Sequence, residues 1–156
     1  MIGLPQPITG PFVNFMLILT TLIINPTAGI LLGSITPLIA VLRGQLPPLL
    51  LPMVPFIIAG NAVLVIFFSL PVSMTKTGYS KIVRQSAPWI GILLGAFLKF
   101  VLLYFSATLV LPILFARSLP DSVIAMMALP QFITAIVGGV LALFFHRLLS
   151  KLVDLR

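Results

Sequence analysis

The chain has 156 residues, 60% of them hydrophobic and only 7% charged, with a formal net charge of +7. A soluble domain carries roughly 25% charged residues, so this composition excludes a water-covered globule, and the absence of cysteine excludes disulfides, thiol nucleophiles and thiolate metal sites. The positive charge does not read as a nucleic-acid surface, because the nine basic residues are scattered between apolar runs without a basic stripe or interleaved aromatics.

The opening stretch, MIGLPQPITG, has no basic region and no A-x-A pattern, and so does not read as a signal peptide. About 20 apolar residues cross the hydrocarbon as helix, and run length predicts five such segments within one helical domain over 1–156. The first is about 11–25, opened by Gly10-Pro11 and closed by Asn25-Pro26. Proline at a helix start costs little, since that N–H has no intrahelical partner. The second is about 27–43, ending at Arg43-Gly44. The third, about 52–70, is entered through Pro47, Pro48, Pro52 and Pro55. The fourth, about 88–113, would be ~39 Å long as one helix, more than the ~30 Å of hydrocarbon, and should tilt or project. SLPDSVIAMMA then holds a short interfacial helix, and the fifth segment is about 130–149. The runs are apolar throughout instead of alternating, which argues against a β-barrel. The fold class expected is all-α, an integral membrane helical bundle in contact with the lipid bilayer.

Charge predicts the orientation. Lys76, Lys81 and Arg84 fall in the loop after the third segment, and Arg147, Lys151 and Arg156 in the C-terminal tail, against only Arg43 and Arg117 on the other side. Cytoplasmic loops collect lysine and arginine, so the C-terminus is expected inside and, with five spans, the N-terminus outside.

Polar and small residues then mark the packing faces, because membrane helices associate through small residues and interhelical hydrogen bonds. At ~100° per residue, Gly91, Gly95, Lys99, Leu102 and Ser106 share one stripe of the fourth segment. Comparable stripes are Gly29, Gly33, Thr36 and Ala40 in the second segment and Gln131, Thr134, Ala135, Gly138 and Ala142 in the last. The first carries Asn14, Thr21 and Asn25, and Asn61 lies mid-segment in the third. Gly29, Gly33, Gly91, Gly95 and Gly138 read as helix-packing or partner-docking positions. Asn14, Asn61 and Gln131 read equally as helix glue or as ligand-binding residues, since polar groups in a membrane interior are costly and often functional; Lys99 reads as a ligand-binding residue ahead of the alternative, a lysine that snorkels or bonds free carbonyls. A central lysine costs about 2.5–3.5 kcal/mol on insertion scales. With Asp121 in an outer loop and Asp154 in the tail, Lys99 implies an anionic or carbonyl-bearing partner missing from the sequence.

Two acids and one histidine cannot supply a carboxylate pair, a metal cluster or a Ser-His-Asp triad. No G-x-x-x-x-G-K-[ST] is present to cradle ATP phosphates. The expectation is a non-enzyme with no metal and no cofactor.

The stretches GPFVNFMLILTTLIINPTAGILLGSITPLIAVLRGQLPP, VPFIIAGNAVLVIFF, ILLGAFLKFVLLY and LPQFITAIVGGVLALFF together resemble the substrate-binding S component of energy-coupling factor (ECF) transporters. The likeness runs over about residues 5–149, through the order of small residues, prolines and amides. It implies a compact membrane bundle, normally of six helices, in a prokaryotic cell membrane with a cytoplasmic C-terminus. It also implies capture of a vitamin-like small molecule at the outer end, and docking on a transmembrane T protein that carries two ATPase subunits. The segment bearing Lys99 usually contributes to the family's pocket. The additional first helix usual in that family, often with A-x-x-x-A spacing, is not matched, because IGLPQPIT is too short to span. Two other classes fit the residues: a structural or assembly subunit anchoring partner proteins, and a stand-alone small carrier or channel.

Overall fold

The computed structural model describes residues 6–75, 79–115 and 119–154, and every regular element among them is helical. Helix α1 (Gln6–Ile23) turns through Ile24-Asn25 into α2 (Pro26–Leu42). Asn25 serves the turn: its side-chain oxygen accepts the Ala28 N–H at 2.8 Å, capping α2 ahead of its first-turn proline. Asn25 therefore leaves the polar face of the first segment on which the sequence placed it. Gly44, with φ of 64°, breaks the chain after α2 in the left-handed conformation that glycine adopts without penalty. A 3₁₀ turn, Pro48–Met53, leads into α3 (Val54–Met74). Helix α4 (Lys81–Phe105) passes through a π-helical stretch, Ser106–Val110, into α5 (Leu111–Phe115). A short helix, α6 (Asp121–Met127), forms in the stretch where one was expected and precedes α7 (Leu129–Asp154).

All five expected segments are helices, but their ends differ. Helices α1 and α4 begin before Pro11 and Pro88, which lie inside them. Hydropathy marks the apolar part of a helix, whereas Lys81, Arg84 and Gln85 lower it over a first turn of α4 that is helical all the same. Prolines are tolerated inside membrane helices because neighbouring groups satisfy the freed carbonyls. By length and composition three helices can cross a membrane, at Pro48–Met74, Lys81–Leu114 and Asp121–Leu152. Ile8–Ile23 and Pro26–Leu42 are shorter apolar helices. The chain is an all-α membrane protein, and the stretch 81–114 would be ~50 Å long as straight helix, well beyond the ~30 Å hydrocarbon.

The long helices close a ring: α1 packs on α2, α2 on α3, α3 on α4, α4 on α7, and α7 back on α1. Glycines set the spacing. A methyl group on Gly91 would lie 2.5 Å from the Phe68 carbonyl oxygen, and one on Gly95 2.7 Å from that of Leu64, so α3 and α4 meet backbone to backbone. Gly138 approaches the Pro11 carbonyl in the same way, and its neighbour Gly139, which the sequence reading passed over, lets Ile92 of α4 against the other side of α7. Gly29 faces Thr21 and Leu17, and Gly33 faces Asn61 and Leu17. One apolar cluster, including Leu17, Leu64, Phe68, Ile92 and Ala142, fills one half of the ring. A second, including Leu50, Met53, Leu103, Leu111 and Met127, lies under the 3₁₀ turn and α6.

Candidate functional site

Between these two apolar clusters lies a polar one. Lys99, on the inward stripe of α4 with Gly91 and Gly95, is 3% exposed. Its ammonium donates to the Asn14 Oδ1 of α1 at 2.6 Å and to the Asn61 Oδ1 of α3 at 2.8 Å. Asn14 is 1% exposed and Asn61 2%. Asn61 in turn donates through Nδ2 to the Gly33 carbonyl of α2 at 2.9 Å, a bond allowed by the close passage at Gly33. One connected set of bonds thus ties together α1, α2, α3 and α4. Two charge-assisted hydrogen bonds, at about 1.5–3 kcal/mol each, are enough to offset the ~2.5–3.5 kcal/mol insertion cost of the lysine.

The sequence reading expected the partner of Lys99 to come from outside the chain. The structure corrects this: two of the partners are the carboxamide oxygens of Asn14 and Asn61. An ammonium has three donors, and the described residues accept from only two. The Asn14 amide is likewise engaged through its oxygen alone. Among the described residues no fully buried side-chain polar atom lacks a partner, so this group reaches a cavity.

That cavity has a volume of about 500 Å³. Asn14, Asn61, Lys99 and Gln131 all line it, so the structure brings the four sequence-predicted residues around one space. They are not equivalent. Lys99, Asn14 and Asn61 are buried and form the floor, whereas Gln131 is half-buried at the start of α7, where its Nε2 donates to the Met126 carbonyl at 3.4 Å. The exposed residues Thr9, Ile39, Gln45 and Pro47 stand at the mouth, and Leu50, Ile57 and Met127 give apolar wall. Of these, Thr9, Gln45 and Met127 carried no signal in the sequence. They come from a helix start, a loop and a short helix, and only the ring's closure collects them. Thr36 and Ala40, placed on the inner face of α2 by their spacing, line the cavity too.

The mouth lies at the end of the ring where α1, α3 and α7 begin and α2 ends. Lys81, Arg84, Arg147 and Lys151 are exposed at the opposite end. Lys76, Arg117 and Arg156 lie outside the described residues. No group of three or more His, Cys, Asp or Glu is gathered among the described residues. Fold and site together define a helical membrane protein with a cavity whose floor is cationic and otherwise neutral. Compared with protein families, curated proteins and solved structures, the chain matches none.

Proposed function

We propose that this protein is a substrate-capture subunit of an ECF-type importer in a prokaryotic cell membrane, taking a small vitamin-like molecule from the outer side without enzymatic chemistry. The observation that carries the reading is the Lys99–Asn14–Asn61 cluster, which forms the floor of a cavity of about 500 Å³ inside an otherwise apolar bundle. Small-molecule pockets have about this size, with mostly apolar walls and a few convergent polar groups. The resemblance in order of prolines, glycines and amides supplies the transporter class. In this reading the basic end is cytoplasmic and the cavity opens outward. Energy for transport comes from a T protein and its ATPases.

A specific observation favours a second reading. Lys99 is bonded within the chain, so the same cluster could serve as an internal staple of a structural or assembly subunit. Native mass spectrometry of the detergent-purified protein separates the two. The capture reading expects a retained small molecule in the wild type that is lost in Lys99→Met. A chain released without a small molecule, in a stable complex with other membrane subunits, overturns it in favour of the staple.

A further inference from the structure

The charge of the cavity narrows what it can hold. Among the described residues lining it, Lys99 alone is charged. The chain has only two acidic side chains, Asp121 and Asp154. Asp121 is exposed at the start of α6 and does not line the cavity, and α7 ends at Asp154 at the far end of the ring. Asn14 and Asn61 accept hydrogen bonds from the ammonium but bring no negative charge. The floor therefore keeps one positive charge, one unused ammonium N–H and the Asn14 amide beside it. The two hydrogen bonds offset the cost of burying the charge but leave it without a counter-charge, which an anion would supply. An oxyanion with two oxygens could accept from both groups at once. Above the floor the wall is apolar at Val13, Leu50, Ile57 and Met127, which suits an uncharged body, and the polar lining residues Thr36, Gln45 and Gln131 are neutral, so a second anionic group finds no counter-charge there.

We propose that the cavity binds an amphipathic organic monoanion, a carboxylate on an apolar body, with the carboxylate against Lys99 and Asn14 and the body toward Leu50 and Ile57. This rests on the reading of the cavity as a capture site and names its substrate class. A dianion brings a second charge with no counter-charge in the wall. A neutral molecule leaves the ammonium uncompensated.

The test is calorimetry on the full chain in detergent with three probes: 4-phenylbutanoate, its neutral amide, and the dianionic 4-phenylbutyl phosphate. The carboxylate is expected to bind the wild type roughly ten-fold or more tighter than either of the others, the scale of one charged hydrogen bond. Lys99→Met should cut carboxylate binding by roughly ten- to a hundred-fold and amide binding by clearly less, so that the preference between them collapses. Amide or phosphate binding as tight as carboxylate binding overturns the proposal. So does a carboxylate that fails to bind at millimolar concentration, or a preference that survives in Lys99→Met. The comparison among probes uses the wild type and does not depend on the variant folding. Release of a neutral molecule, or of a phospholipid, from the native protein in the mass spectrometer overturns the monocarboxylate class, while a neutral small molecule leaves the capture reading standing. Failure of all probes together with an empty native protein removes both.

Discussion

Lys99 shows how partners reverse the sign of an argument made from one residue. Taken alone it is a desolvated cation, and removing such a charge should help folding. Its two acceptors change the expectation, because Lys99→Met would leave the Asn14 and Asn61 oxygens facing a methyl thioether. An acceptor orphaned in this way costs about 1–3 kcal/mol. Lys99→Met is therefore expected to lower stability in detergent, as is Asn14→Leu. The double variant should be less destabilised than the sum of the two, by about 0.5–3 kcal/mol, because the residues share one bond. Denaturant unfolding of the four proteins checks this. A Lys99→Met protein more stable than wild type, or strict additivity, would sink the assignment of the bond as stabilising. The four site residues were legible because each is polar within an apolar run. Their bonds to one another were not. Lys99 meets Asn14 across 85 residues and Asn61 across 38, separations that only the closed ring brings together.

At the scale of the element, the small-residue stripes carry the packing. Gly95 faces the Leu64 carbonyl at a distance that admits no side chain, while Leu94, one residue or ~100° around the helix, is 39% exposed. Gly95→Leu must push α3 from α4 or unwind a turn, and overpacking of this kind costs about 1–3 kcal/mol or more. Leu94→Ala removes an outward side chain and should stay within about 0.5 kcal/mol. Thermal unfolding in detergent should rank Gly95→Leu as clearly the weaker protein; the opposite ranking would mean that the stripe faces lipid. Apolar run length located the long helices, and the spacing of small residues their inner faces. Helix ends were less legible, since the first turn of α4, with Lys81, Arg84 and Gln85, is helical without being uniformly apolar. The π-helical stretch was not legible at all. It follows from the Leu111 N–H bonding the Ser106 carbonyl, five residues back, and no residue type in that stretch demands it. Its effect is to adjust the register of the helix beside the apolar cluster that includes Ala107 and Leu111.

For the molecule as a whole, the separation of cavity and charge is the feature with consequences in a cell. Of the exposed basic residues described, Lys81, Arg84, Arg147 and Lys151 lie at the end of the ring opposite the mouth, against Arg43 alone at the mouth's end. Positive charge favours loops in the cytoplasm, and on the proposed reading a molecule entering the cavity arrives from outside. The lack of cysteine makes the orientation directly measurable. A single cysteine at Gln45, exposed at the mouth, should react with a membrane-impermeant maleimide in intact cells. One at Tyr79, exposed just before α4 at the basic end, should react only after the membrane is opened. Reaction of Tyr79→Cys in intact cells with protection of Gln45→Cys would place the cavity inside and remove the case for capture. Equal reaction of both in intact cells would mean that α3, the helix between the two positions, does not cross the membrane, although Pro48–Met74 is long and apolar enough to do so. Selective labelling of Gln45→Cys is the outcome required if the cationic floor at Lys99 faces the environment from which a nutrient is drawn.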